Sequence, residues 1–174
     1  TDNGPADGAN KDDGPLVIYS GRNEELIDPL IKKFEEESGV NTEVRYAGSA
    51  EQAQLLLTEG DKSPAHVFLS QEAGALGLVA DKDLLSTLPA DVLEKVPAGF
   101  SSNEQQWVGL TGRARVVAYD KDKVDEADAP GTYQEMVDPK WKGKIGIAPG
   151  NASFLAFVTA IRVTEGDDAA KEWL

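Results

Sequence analysis

Apolar side chains first cluster at Leu16-Val17-Ile18-Tyr19, stop at Ser20-Gly21, and give way to a polar loop. A short apolar run that ends this way predicts a buried strand followed by a tight turn, with Gly21 free to take positive φ. Leu26, Ile27, Leu30, Ile31 and Phe34 then fall on one helical face, with Glu and Lys opposite. Gly39 suits the left-handed position that ends this helix. Pro29 is read as a kink in one helix capped by Asn23; the alternative is a helix that begins at Asp28 with Pro29 in its first turn. Residues 40–46 alternate apolar and polar, which predicts a second strand. Ser49 and Gln52 have the spacing of a capping box and open a helix that runs to Gly60.

The alternation continues. Lys62-Ser63-Pro64 is a turn, residues 65–69 a third strand, and Ser70-Gln71-Glu72 its polar exit. Ala73–Ala80 is a short helix of small apolar residues, and 84–96 a turn followed by a helix. Strand and helix in strict alternation predict a parallel α/β unit with right-handed crossovers. Residues 107–110 and 113–119 then read as strands, parted only by Thr111-Gly112, and together make one long strand passing between lobes. Thr132 and Glu135 form a second capping box, whose helix ends before Pro139. A basic link at 140–144, a strand at 145–148 and the polar turn Pro149-Gly150-Asn151-Ala152-Ser153 follow. An amphipathic helix covers 154–163, and Asp167 caps a last helix still running at Leu174. The predicted organisation is a disordered acidic leader at 1–14, a first and incomplete α/β lobe at 15–110, a crossing strand at 111–119 and a partial second lobe at 120–174.

Composition changes this picture in a few places. Residues 1–14 carry four Asp, three Gly and no large apolar side chain, so they cannot offset their ordering entropy by burial. Such a leader is a frayed terminus or a tether from a membrane anchor to a folded receptor. The net charge of −14 over 174 residues argues against nucleic acid and anionic membrane surfaces as partners. With no cysteine, disulfides and thiolate metal sites are excluded, and the single His66 excludes a multi-histidine zinc centre. No apolar run approaches the roughly 20 residues of a membrane span, and the first residues carry no signal-peptide pattern.

In open α/β sheets, ligands settle where loops leave the carboxyl ends of strands and helices begin. Unpaired N–H groups and the positive dipole end there suit an anion or a polar ligand. Ser20, Arg22 and Asn23 occupy the first such turn, and Asn151, Ala152 and Ser153 the last.

Four stretches then identify a family by their order and spacing: Tyr-Ser-Gly-Arg-Asn at 19–23, Ser-Pro-Ala-His-Val-Phe-Leu-Ser-Gln-Glu at 63–72, Trp-Val-Gly-Leu-Thr-Gly-Arg-Ala-Arg-Val-Val-Ala-Tyr-Asp at 107–120, and Asp-Pro-Lys-Trp-Lys-Gly-Lys-Ile-Gly at 138–146. The chain resembles the ferric-iron-binding proteins of bacterial ABC importers, extracytoplasmic receptors also called bacterial transferrins, over residues 15–174. The resemblance implies a type II periplasmic-binding-protein-like fold of two lobes, roughly double this length, that clamps its ligand between them. It also implies Fe³⁺ held with a synergistic phosphate or carbonate, an ABC transporter permease as partner, and a periplasmic or lipoprotein-tethered location. The family's main ligands, an adjacent tyrosine pair, are then expected beyond Leu174.

The resemblance is imperfect residue by residue. One branch of the family has a histidine ligand where this chain has Asn23 and a glutamate ligand where it has Gln71; Glu72 follows at once. Neither Asn nor Gln suits Fe³⁺, which prefers anionic oxygen donors. The chain is more similar to the branch in which tyrosines and an anion hold the metal. The anion would then be met by Asn151, Ala152 and Ser153 with Arg113 or Arg115, since guanidinium suits oxyanions. The plainer readings stay open: Arg113 and Arg115 as strand-edge ion pairs, Asn151 and Ser153 as helix caps, and the tryptophans as packing anchors. Tyr19 and Tyr119 are expected in apolar strands as core. His66, where the family usually has Asp, is expected as a strand-end residue and not a ligand. Other cargoes of the same fold, namely thiamine, polyamines, phosphonates or sugar phosphates, form the alternative function. An enzyme is not expected, since no Gly-x-Ser-x-Gly elbow, P-loop or Gly-x-Gly-x-x-Gly is present. Residues 15–174 alone are expected to bind Fe³⁺ poorly, without tyrosinate colour, and to pack against the remaining half or a second copy.

Overall fold

The structure is a computed structural model that describes residues 14–174. The leader expected at 1–14 therefore lies, but for Gly14, outside the described residues. The chain divides into two units, one ending at Val108 and the other running from Gly109 to Leu174.

The first unit is built on three parallel strands, β1 (Leu16–Ser20), β2 (Thr42–Tyr46) and β3 (Val67–Leu69), in the order β2-β1-β3. The central strand is paired on both edges and is buried from Val17 to Ser20. Ile18 faces Val44 on one side and Val67 on the other, while Ser20 faces Tyr46 and Leu69. All three strands thus deliver their exit loops to the same edge of the sheet.

Helices α1 (Glu24–Ser38), α2 (Ser49–Glu59), α3 (Ala73–Ala80) and the single turn α4 (Ala90–Leu93) complete the unit. Val17 and Tyr19, alternate residues of β1, pack with Ala53 and Leu56 of α2 and with Ala75 and Val79 of α3. The small residues of α3 are what allow that close approach. α1 is one helix with Pro29 inside it, capped by the Asn23 side chain and closed by Gly39 at φ 71°. Its apolar face is only partly covered: Ile27 and Ile31 are half-buried, whereas Leu26 and Leu30 are 62% and 63% exposed.

Several expectations are corrected. Gly21 does not take positive φ; it is needed for closeness, because a Cβ there would lie 2.2 Å from Ser49 Oγ and 2.8 Å from Ser49 Cα. Ser49 and Gln52 form no capping box: Gly48 is the N-cap of α2 and no side chain caps it. The helix expected within 84–96 shrinks to one turn, since Pro89 and Pro97 bracket it and disfavour helical geometry at the residues before them.

In the second unit, α5 (Ala152–Glu165) and α6 (Asp167–Trp173) pack on each other. Tyr133, Phe157 and Trp173 gather edge-to-face, and Phe154 joins them tilted against Trp173. Trp173 Nε1 donates to Tyr133 O at 2.8 Å, which fixes the end of α6. The second capping box holds in displaced form: Glu135 N donates to Thr132 Oγ1, but the Glu135 carboxylate accepts from Gly131 N, and the segment is a 3-10 turn at Gln134–Val137. Asp167 is inside α6 and not its cap; it pairs with Arg162 at 2.7 Å. The strands expected at 107–110, 113–119 and 145–148 are irregular chain without a ladder, save one antiparallel bridge between Ser101 and Val108. A strand exists only where a neighbour exchanges a run of backbone hydrogen bonds, and among the described residues only the single bridge at Val108 is formed. Tyr119 accordingly lies in coil, half-buried. None of the described helices is long and apolar enough to cross a membrane.

Candidate functional site

The nominated residues fall into two groups, one in each unit. In the first unit, Ser20, Arg22, Asn23, Gln71 and Glu72 line the exits of β1 and β3. Ser20 is fully buried, and its hydroxyl exchanges hydrogen bonds with the backbone of Arg22. Asn23 Oδ1 accepts from Glu25 N at 2.8 Å, as an N-cap does. Gln71 Nε2 donates to Gly21 O at 2.7 Å, and Gln71 N donates to Ser49 Oγ at 3.0 Å. The Glu72 carboxylate caps α3, accepting from Gly74 N and from Ala75 N. Each nominated side chain except that of Arg22 is thus already engaged by the fold. Among the described residues these bonds leave over the Asn23 Nδ2 amide, the Gln71 Oε1 oxygen, the second lone pairs of the Glu72 carboxylate and the Arg22 guanidinium.

Ser49 and Gln52, whose spacing predicts a helix cap, belong to this face. Both are 2% exposed. Gln52 Nε2 donates to Arg45 O at 2.6 Å and reaches Ser20 O at 3.5 Å. Their signal was visible, a Ser and a Gln directly after a strand-end Gly, but their partners lie in other loops.

The second unit gathers Arg113, Asn151, Ala152 and Ser153. Asn151 caps α5, its Oδ1 accepting from Ser153 N at 2.9 Å. Asn151 N donates to Ala148 O, so of the three N–H groups in this turn only that of Ala152 has no acceptor among the described residues. Arg113 Nη1 lies 3.5 Å from Ser153 Oγ. Arg115 is placed one helical turn further on, its guanidinium 5.9 Å from the centre of the Phe157 ring. Arg113 is therefore the cation at the positive end of α5, and Arg115 is not.

No tyrosine of the first unit is a free phenolate. Tyr19 is fully buried; its hydroxyl donates to the Glu59 carboxylate at 3.0 Å and accepts from Arg45 Nη1 at 2.9 Å. Burial, then the bond to Glu59, push its pKa up. Burial also raises that of Tyr46, whose hydroxyl has no partner among the described residues, with Asp28 and Glu24 adding to the rise. His66 Nδ1 accepts from Val17 N at 3.0 Å while His66 N donates to Val17 O at 2.9 Å, so this imidazole extends the sheet ladder. Among the described residues no group of three or more His, Asp or Glu is placed to hold a metal ion.

A parallel sheet whose exit loops share one edge, with helix N-termini and amide side chains gathered there, is the arrangement in which open α/β folds bind ligands. Residues 62–174 match the bacterial extracellular solute-binding protein family, and the chain belongs to that family. Its fold is that of the type II periplasmic binding proteins. It is 34% identical over 164 residues to the major ferric iron-binding protein of Neisseria meningitidis, covering 91% of this chain and 49% of that protein. It is 31% identical over 169 residues to the Fe(3+)-binding periplasmic protein of Serratia marcescens, covering 97% and 50%. The crystal structure of iron-bound HitA from Pseudomonas aeruginosa superimposes with a TM-score of 0.88 at 31% identity, over 91% of this chain and 52% of that one. The chain thus spans about half the length of the relatives it matches.

Proposed function

We propose that this chain serves an extracytoplasmic receptor that captures ferric iron, together with phosphate or carbonate, for an ABC importer. The observation that carries this reading is the shared backbone course with iron-bound HitA over 91% of the chain. Residues 15–110 act as the first lobe, 111–119 as the crossing segment and 120–174 as part of the second. Fe³⁺ is cargo here and not a resident cofactor. Arg113, the Ala152 N–H and the Ser153 hydroxyl at the N-terminus of α5 meet the anion, where guanidinium and helix dipole both favour negative charge. Asn23, Gln71, Glu72, Ser20 and Arg22 provide a mainly hydrogen-bonding wall. The partner is a membrane permease, and the location is periplasmic or at the end of a lipid anchor.

The test is calorimetric titration of the chain with ferric nitrilotriacetate, with and without phosphate or carbonate, beside thiamine, a polyamine and a phosphonate. Anion-dependent binding of the ferric complex is expected, with a dissociation constant of about 0.1–1 mM and no visible tyrosinate band. Ser153→Asp places a carboxylate where the anion sits, and weakens binding about tenfold or more, equivalent to ~1.4 kcal/mol. Tighter binding of a non-ferric ligand, or an unchanged Ser153→Asp titration, overturns the reading.

A further inference from the structure

We infer that Ser49 and Gln52 are positioning residues, which clasp the three strand-exit loops of the first unit into one rigid ligand-facing wall; this rests on the receptor reading above. The clasp is built from buried groups. Ser49 opens α2 yet caps nothing in it, because the N-cap is Gly48. Its hydroxyl instead accepts the Gln71 amide N–H at 3.0 Å, tying the exit of β2 to the exit of β3. The Gln71 side chain carries the tie on to the exit of β1, at Gly21 O, and Gly21 N returns to Leu69 O at 2.7 Å. Gln52 closes the circuit between β1 and β2 through Arg45 O and Ser20 O, beside the Ala47 N to Ser20 O bond at 3.1 Å. Gly21 is the keyhole, since any side chain there would run into Ser49.

A helix needs none of this. An exposed cap satisfies one or two N–H groups of its own helix, whereas these side chains are 2% exposed and spend their bonds on other loops. Those loops carry Asn23, Gln71 and Glu72. Holding them in one arrangement before the ligand arrives removes an ordering penalty from binding. Ser49 and Gln52 need not touch the ligand to do so.

The test follows amide hydrogen exchange and ferric nitrilotriacetate binding in phosphate buffer for the parent chain, Ser49→Ala and Gln52→Met. The inference expects exchange at Gln71 and Gly21 to rise at least tenfold in Ser49→Ala, and at Ala47 in Gln52→Met, with Ile18 and Tyr19 at parent protection. It also expects binding of the ferric complex to weaken at least fivefold, through faster dissociation. Ser49→Cys, which keeps the size and weakens the acceptor, falls between, and replaces Ser49→Ala if that variant does not fold. Unchanged exchange at Gln71 and Gly21 overturns the clasp. Faster exchange with undiminished ferric binding overturns the positioning role. If the parent binds no ferric complex, the receptor reading fails by itself, and loop exchange alone then upholds or overturns the clasp.

Discussion

Gly21→Ala tests how closely the loops are packed. The added Cβ would sit 2.8 Å from Ser49 Cα and 2.9 Å from Ser49 Cβ, as well as 2.2 Å from the hydroxyl. The hydroxyl can rotate away, but the Cα is backbone, so the start of α2 must retreat by about 0.6 Å to reach ordinary contact. Overpacking of this kind costs about 1–3 kcal/mol. The retreat also stretches the Gln71 N to Ser49 Oγ bond, adding roughly 1 kcal/mol. The expected loss is about 2–4 kcal/mol, which at a urea slope near 2 kcal/mol per molar lowers the midpoint by ~1–2 M without changing the slope. Gly77→Ala is the internal control. That glycine lies inside α3 with nothing within 4 Å of a Cβ, so alanine stabilises by about 0.5–1 kcal/mol. Urea unfolding of both variants decides the matter. A Gly21→Ala midpoint within about 0.2 M of the parent, with Gln71 still protected, would refute the close-packing argument.

Three further outcomes are expected. Tyr19→Phe removes a donor to Glu59 and an acceptor for Arg45, and lowers stability at pH 7 by about 1–2 kcal/mol in urea unfolding. The folded chain holds the Tyr19 proton more tightly than the unfolded one. That share of stability is complete below the ordinary tyrosine pKa of about 10 and is lost as pH rises through and above it; Tyr46 adds in the same sense. A stability–pH curve should therefore fall more gently above pH 10 in Tyr19→Phe than in the parent, and equal slopes would remove Tyr19 as the cause. His66→Asp should leave stability within about 0.5 kcal/mol while His66→Leu costs about 1–3 kcal/mol, because only the latter strands the buried Val17 N–H; equal melting temperatures would dismiss the ladder role.

What the pattern of residues revealed depended on how local the cause was. β1, α1 with its Asn23 and Gly39 caps, and α3 were legible because their signals lie within a few neighbouring residues. The corrections share the opposite property. Ser49 and Gln52 have the spacing of a capping box, but their partners are Gln71, Arg45 and Ser20, from 7 to 32 residues away. Residues 113–119 have the apolar character of a strand, yet among the described residues no neighbour supplies a ladder, so β propensity had nothing to act on. The role of His66 was opaque in sequence. In the fold its Nδ1 accepts the Val17 N–H, and an aspartate Oδ, also one bond beyond Cγ, is within reach of the same donor.

The candidate site follows the same logic. Asn23, Gln71, Glu72 and Asn151 were nominated as ligand contacts because they are polar residues at strand exits and helix starts. Those are also the places where a chain has unpaired N–H groups to satisfy, and each of these side chains does satisfy one or ties a loop. The two roles are compatible, because each keeps a further donor or acceptor: a carboxamide bonded through one atom still has the other. A ligand meeting this wall therefore meets groups whose first bond has already fixed their orientation. Gln71 shows the consequence. Its Nε2 is held by Gly21 O, which directs Oε1 by geometry and not by chance. A glutamate there has no hydrogen to donate and would lose that hold while gaining the charge that Fe³⁺ prefers. A glutamine at 71 thus gives up a carboxylate and gains a fixed loop.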